Sequence, residues 1–315
     1  MKPLRRLFAL ATALLAVALA LTGCAPIVSD GAETLNVYAT FYPIYALTDA
    51  VLKNVPDAGL HCLVQPQDGC LRSYQLSDWD ASLLATGADA IMLGGRGLES
   101  FEGALFDWGD DGPAVSAILY NLTLAGDGSD AESHFKGQNP HLYMSLDGAR
   151  QMIESIAAMM ESMDPKYAGQ YAENADAADA ALESTLSTAT EILSAYRGRR
   201  VAIMNEALVY CAMDYGLETA ATIERESGDG MSGEALQSCL EKLSQSEIDV
   251  VLIERQAPQA LVEAIRAAGF AVAKLDVLST HTEGEGFEDY LEIQLDNARA
   301  MADAFERAAA GKDAH

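Results

Sequence analysis

The sequence predicts an α/β fold with two lobes, each containing a parallel sheet, joined by one long linking helix, with a ligand cleft between the lobes. Short strands alternate with helical segments, which is typical of parallel sheets. Residues 165–196 are dense in Ala, Glu and Leu, with no Gly after Gly169, which favours one continuous helix. The alternation restarts after Gly198. Because open α/β sheets bind ligands at the carboxyl ends of their strands, the cleft is the expected site.

β-Branched or apolar runs distinguish the strands from the helices in both halves of the chain. The first half has predicted strands at 34–40, 59–64, 90–93 and 115–121, helices at 44–52, 77–85 and 146–163, and a mobile loop at 126–139. The second half has predicted strands at 200–204, 250–253 and 271–275, and helices at 207–214, 258–268 and 290–309. The expected segments are a signal peptide (1–23), a tether (24–33), a first lobe (34–164), the linking helix (165–197) and a second lobe (198–315).

The N-terminus has the features of a lipoprotein signal peptide. A basic start precedes the apolar stretch 7–21, which is shorter than the roughly 20 apolar residues that a membrane span needs. The stretch ends in Leu-Thr-Gly-Cys24, which has the form of a lipobox and predicts cleavage before Cys24 and lipid attachment to it. We therefore expect a chain that is lipid-anchored to the extracytoplasmic face of the cell membrane.

The charge balance excludes one class of partner. The chain carries a formal net charge of −27, whereas a nucleic-acid-binding protein needs a positive surface against phosphate. An acidic surface favours solubility, and it attracts cations only weakly and without specificity. We expect no nucleic acid partner.

Four cysteines remain besides Cys24, an even number in an exported chain, where disulfides persist. Cys62 and Cys70 flank a Pro-Gln-Asp-Gly turn and are expected to pair, which leaves Cys211 to pair with Cys239. A thiolate metal site is the alternative, but no C-x-x-C spacing supports it.

Four short motifs occur in the order in which a known family carries them. They are Phe41-Tyr-Pro-Ile-Tyr45, Gly97-Leu-Glu-Ser-Phe101, Asn139-Pro-His-Leu-Tyr143 and Asp164-Pro-Lys166. With the lipobox and the long helix, the chain from about Thr34 to Ala309 resembles the zinc- and manganese-binding lipoproteins of ABC importers, the cluster A-I solute-binding proteins. The resemblance implies one Zn²⁺ or Mn²⁺ carried between the lobes as the transported ligand, an ABC permease as partner, and no catalysis. We expect a monomer.

The resemblance also implies four ligand positions, of which two keep a residue type that binds metal. His141 stands at the family's second position, and Asp276 follows the last predicted strand at its C-terminal position. Imidazole nitrogen suits zinc, and carboxylate oxygen suits both zinc and manganese. A turn-forming Asp is the competing interpretation of Asp276.

The other two ligand positions are altered. Arg72 replaces the usual first-position His and has no lone pair for a metal, but it could bind an anion or a carboxylate. Asn205 occupies the third position, and Glu206 would reach the site if the register shifted by one residue. Glu254, at the end of a strand, and His281, five residues after Asp276, are further candidates.

Three functions therefore remain open for the altered site. The chain is a metal receptor with an altered ligand set, or a receptor for an anionic ligand or metal chelate bound through Arg72, or a surface adhesin on the same scaffold. A hydrolase is disfavoured because the sequence contains no G-x-S-x-G, H-E-x-x-H or P-loop pattern.

Arg72→His separates the metal and anion hypotheses. Restoring an imidazole is expected to tighten zinc binding if Arg72 only weakens a metal site, because His supplies the missing lone pair. If the same change abolishes binding of an anionic ligand, Arg72 held that anion. Isothermal titration of both proteins measures this, and unchanged binding of every ligand would exclude a role for Arg72 in the cleft.

Overall fold

Two parallel sheets organise the chain, as the sequence predicts, and each sheet has four strands. The computed structural model describes residues 35–65, 71, 74–109, 112–122, 139–223, 233–278, 281 and 285–313. The first sheet has the order β2-β1-β3-β4, formed by β1 (Leu35–Ala39), β2 (Ala58–Cys62), β3 (Ala90–Leu93) and β4 (Ala114–Ala117). The second has the order β6-β5-β7-β8, formed by β5 (Arg200–Ile203), β6 (Glu218–Thr222), β7 (Val250–Glu254) and β8 (Ala271–Leu275).

The helices alternate with these strands and cover the sheets. The first lobe contains α1 (Tyr42–Leu52), α2 (Asp78–Gly87), α3 (Glu102–Phe106) and α4 (Leu146–Met163). The linking helix α5 (Ala168–Ile192) follows, and the second lobe contains α6 (Leu208–Asp214), α7 (Gly233–Gln245), α8 (Gln259–Ala267) and α9 (Phe287–Asp313). Because α5 packs against α4 and α9 through buried residues such as Ala178 and Leu182, it is part of the core.

Several element boundaries differ from the predicted ones for local reasons. The strand predicted at 115–121 ends at Ala117, where a 3₁₀ turn (Ile118–Asn121) begins. The helix predicted over 165–196 is α-helical only over Ala168–Ile192 and has a 3₁₀ turn at each end. The sequence pattern does not predict β6 or α7; β6 reads Glu-Thr-Ala-Ala-Thr and lies at a sheet edge, where little apolar surface is buried.

One hydrophobic core extends through both lobes. Val37 and Ile91 of the first sheet belong to the same buried cluster as Val201 and Leu252 of the second. The intervening strand residues Ala202 and Val251 point to the other face of the second sheet and join a separate cluster with α7 and α8. β7 is buried at every position because helices pack on both of its faces.

The predicted pairing of Cys211 with Cys239 is wrong. Both residues are buried free cysteines, and burial raises the pKa of both thiols. Cys211 lies in the core shared by the lobes, whereas Cys239 lies in the cluster on the opposite face of the second sheet. A disulfide requires Cα atoms within about 7 Å, and a sheet between the two residues prevents that approach.

Several sequence-based expectations concern parts of the chain outside the described residues. These are the signal peptide and tether with Cys24, the pairing of Cys62 with Cys70, Arg72, and nearly all of the 126–139 loop. Within the described ranges, no helix has the length and apolar character needed to cross a membrane.

Asp214, the last residue of α6, joins the second lobe to the first. It accepts hydrogen bonds from Ser145 Oγ at 2.8 Å and from the Leu146 backbone N–H at 2.6 Å, at the N-terminus of α4. Burial raises the pKa of Asp214 to about 6, although the hydrogen bonds from Ser145 and Leu146 oppose this rise. The buried carboxylate therefore links the lobes at some cost in desolvation.

Comparing wild type with Asp214→Asn is expected to reveal the desolvation cost of the Asp214 carboxylate as a difference in how stability depends on pH. Because the folded-state pKa is raised to about 6, the native protein binds more protons than the unfolded chain between about pH 4 and pH 6. The contribution of Asp214 to stability is therefore fully present below about pH 4 and is lost as the pH rises through about 6. We expect the free energy of unfolding of wild type, relative to Asp214→Asn, to fall by about 1–2 kcal/mol between pH 4.5 and 7.5. Urea denaturation measures this difference, and a difference that rises with pH would contradict the assignment.

Candidate metal site

His141 is held in one orientation by Asn139. The Asn139 Oδ1 atom accepts the His141 backbone N–H at 3.1 Å and lies 2.8 Å from His141 Nδ1. Since a backbone N–H can only donate, the shared atom is the amide oxygen, and Nδ1 is therefore the protonated nitrogen that donates to it. The ring lone pair then lies on Nε2. Metal-binding histidines commonly donate their other ring N–H to an oxygen in this way.

Asn139 also connects this histidine to the second lobe. It is 1 % exposed, its Nδ2 donates to the Glu206 carbonyl oxygen at 3.0 Å, and its own carbonyl accepts the Tyr210 hydroxyl at 2.6 Å. Glu206 Oε1 lies 3.8 Å from His141 Nδ1, too far for a hydrogen bond but close enough for electrostatic attraction. The structure therefore brings His141 and Glu206 together across the lobes.

Asn205 has a different local role from Glu206. Its Oδ1 accepts the Ala207 backbone N–H at 2.9 Å, and its carbonyl accepts the Leu208 N–H at 3.0 Å, so it forms the turn that begins α6. The carboxylate that approaches His141 belongs to the next residue. Asn205 as a metal ligand remains a prediction, with its side-chain oxygen already engaged in this turn.

Asp276 is a fully buried carboxylate just after β8. Asn297 of α9 pairs with its backbone, donating from Nδ2 to the Asp276 carbonyl and accepting its N–H, each at 2.8 Å. Asp276 Oδ1 accepts the Leu278 N–H at 2.7 Å, and this turn holds Leu278 at φ +64, a conformation that non-glycine residues rarely adopt. Such strain commonly marks functional positions.

Two cationic groups contact the Asp276 carboxylate. Oδ2 lies 3.0 Å from both His281 Nε2 and Arg255 Nη1. Burial alone would raise the pKa of Asp276, but the hydrogen bonds from His281 and Leu278 and the two positive charges hold it below its usual value. The pKa of His281 is raised, first by its hydrogen bond to Asp276, and Glu285 contributes from 3.3 Å on the other ring nitrogen.

The predicted ligands thus form two groups. His141 with Glu206 is one, and Asp276 with His281 is the other. Ring centroids are 5.8 Å apart for His141 and Tyr143, 5.4 Å for Tyr143 and Phe41, and 5.0 Å for Tyr42 and His281. Across the part of the chain that the structure describes, no three His, Cys, Asp or Glu side chains converge to hold an ion. Glu254 is 5 % exposed at the end of β7, and Arg72 lies outside the described residues.

Three residues of these groups were not predicted as site residues. Asn139 lies inside the Asn-Pro-His motif, so the motif itself contained the signal for it. Arg255 follows the candidate Glu254, but its contact depends on the alignment of β7 with β8. Glu285 is four residues after His281 and is brought to it by the entry into α9, which no local pattern indicates.

Comparisons with known proteins identify the family to which the chain belongs. The family model described as "Zinc-uptake complex component A periplasmic" matches residues 37–304. The zinc-binding lipoprotein AdcA of Streptococcus pneumoniae (strain R6) is 25 % identical over 283 residues, covering 85 % of this chain and 55 % of AdcA. The chain therefore spans about half the length of this curated relative.

Solved structures share the fold. FpvC from Pseudomonas aeruginosa in complex with Mn²⁺ superposes with a TM-score of 0.73 at 21 % identity, covering 87 % of this chain and 99 % of that one. The Zn(II)-bound ZnuA-like domain of S. pneumoniae AdcA gives 0.71 at 23 % identity, with the same two coverages. At these identities the superpositions establish the two-lobed fold alone.

Asn139→Ala is expected to release the His141 tautomer. Without Oδ1, Nδ1–H loses its acceptor, so the proton redistributes toward Nε2, while the Glu206 carbonyl still accepts the Val209 N–H at 3.2 Å. Long-range ¹H–¹⁵N NMR of the His141 ring above pH 8 measures the tautomer. Asn139→Asp is the matched control because it keeps the acceptor and should keep Nδ1 protonated. An unchanged tautomer in Asn139→Ala would show that Asn139 does not set it.

Proposed function

This chain belongs to the family of periplasmic zinc-uptake component A proteins, and on that premise we propose that it is the extracytoplasmic metal-binding lipoprotein of an ABC importer. It captures a divalent metal ion, zinc first and manganese second, and delivers the ion to a membrane permease. It performs no reaction. The metal is cargo, so the site must bind the ion and also release it.

The observation that carries this proposal is the geometry of His141. Its Nδ1–H donates to the Asn139 amide oxygen, which leaves the lone pair on Nε2, the form in which a neutral imidazole binds zinc. Metal-binding histidines commonly have their other ring N–H held by such an acceptor. Here that amide is also the link to the lobe that holds the other donors.

Carboxylates of the second lobe complete the proposed donor set. Glu206 follows β5 and lies against His141, and Asp276 follows β8. β5 and β8 belong to the same parallel sheet, so both residues lie at its carboxyl edge, where α/β folds bind ligands. A set of one imidazole and two carboxylates suits both zinc and manganese, with nitrogen favouring zinc.

The N-terminal sequence supports the proposed location. A lipid on Cys24 would hold the receptor beside the permease that takes its cargo, with the tether 24–33 between the lipid and the folded lobes.

In the source organism, removal of the gene should lower zinc accumulation under zinc limitation, and wild type should restore it where His141→Ala does not.

Zinc titration of the full chain in detergent, stripped of metal, tests the binding step. We expect one saturable site with Kd below about 1 μM, corresponding to about 8 kcal/mol. His141→Ala and Asp276→Ala should each weaken binding at least tenfold, because each removes a donor. Isothermal titration calorimetry with zinc, then manganese, gives the affinities and their order.

His61→Ala is the matched histidine control. His61 lies in β2 with its ring 4.8 Å from Tyr38, and we expect its removal to leave zinc affinity within about twofold of wild type. Absence of saturable zinc and manganese binding to wild type would overturn the proposed function. Equal losses in His61→Ala and His141→Ala would indicate that the binding is not at this site.

A further inference from the structure

Arg255 contacts the carboxylate that the proposed function assigns to the metal. We infer that Arg255 is a tethered cation that competes with the metal for Asp276 and so sets how tightly the site holds its cargo. This inference rests on the proposed function, because it concerns the release of the same ion. Arg255 is then a positioning residue, which acts on the metal only through Asp276.

The backbone places Arg255 beside Asp276. β7 and β8 are paired in parallel with Glu254 opposite Leu275, and the Arg255 N–H donates to the Leu275 carbonyl at 2.7 Å. Arg255 and Asp276 are the residues that immediately follow the two strands, so they are neighbours at the carboxyl edge of the sheet. From this anchor the guanidinium reaches Asp276 Oδ2 at 3.0 Å.

The acceptor capacity of Asp276 is nearly used. A carboxylate has about four lone-pair positions on its two oxygens. Leu278 N–H takes one on Oδ1, and His281 and Arg255 both contact Oδ2. A metal that binds through Oδ2 must therefore displace one of these two groups.

Arg255 is the group that a metal displaces more easily. Its side chain is 56 % exposed, whereas that of His281 is 16 % exposed, with Glu285 on its other nitrogen and Tyr42 against its ring. Moving the guanidinium into water gives up little interaction energy, because an ion pair of a side chain that is already 56 % exposed is weak. It cannot lose its proton, so it repels a divalent ion at every physiological pH.

Competition between Arg255 and the metal would help a metal carrier to release its ion. Because Asp276 is fully buried, a carboxylate with only His281 beside it would be costly once the metal departs. Arg255 can return to Asp276 as the ion leaves, which stabilises the empty site and favours release. The consequence is a weaker zinc affinity than the donor set alone would produce.

Arg255→Gln tests the inference by zinc titration of the full chain in detergent, stripped of metal. Removing the competitor is expected to lower the Kd for zinc roughly three- to tenfold. Arg255→Lys keeps the charge on a similar stem and should stay within about twofold of wild type. Arg266→Gln, an exposed arginine of α8 in the same lobe, removes the same charge elsewhere and should also stay within about twofold.

The outcomes separate this inference from the proposed function. If wild type binds zinc and Arg255→Gln binds equally or more weakly, the inference is overturned and the proposed function stands. An equal gain in Arg266→Gln would also overturn it, since the effect would then be one of net charge. If wild type fails to bind, the proposed function fails; zinc binding by Arg255→Gln would still support the competition, and no binding by either protein would overturn both.

Discussion

The arrangement of the site depends on the hydrogen bonds made by the buried side-chain amide of Asn139. At 1 % exposure its donor and acceptors need partners inside the protein, and it finds them on both sides of the lobe boundary. The side-chain oxygen of Asn139 fixes His141, and its side-chain nitrogen donates to the Glu206 carbonyl. The backbone carbonyl of Asn139 accepts the Tyr210 hydroxyl. A shift between the lobes would leave these groups unsatisfied, so the orientation of the histidine and the packing of the lobes are coupled.

The shared hydrophobic core supports that coupling. Because one cluster of buried residues includes strands of both sheets, the lobes cannot separate widely without exposing apolar surface. Asp214 adds a polar link at the N-terminus of α4, and the Tyr290 hydroxyl adds another by donating to the Tyr143 carbonyl at 2.7 Å. Under the proposed function, exchange of the metal is then better served by side-chain rearrangement at the cleft than by large opening.

Asp276 shows how a fully buried carboxylate can remain ionised. Its turn with Leu278 and its pairing with Asn297 fix its position, while His281 and Arg255 neutralise its charge. The fixed partners preserve the geometry, and the exposed Arg255 supplies a replaceable counter-charge. The pKa of Asp276 is lowered despite burial, so the carboxylate stays ionised.

The sequence by itself determined the α/β class, the two sheets, the linking helix and the family, because strand–helix alternation and ordered motifs are local patterns. It also indicated His141 and Asp276, each recognisable from its immediate neighbours. Only the tertiary structure decided that Cys211 and Cys239 lie on opposite faces of a sheet, that Glu206 rather than Asn205 approaches His141, and that Arg255 contacts Asp276. These facts depend on strand register and on packing between segments far apart in the chain, and such contacts leave no periodic signal in either segment.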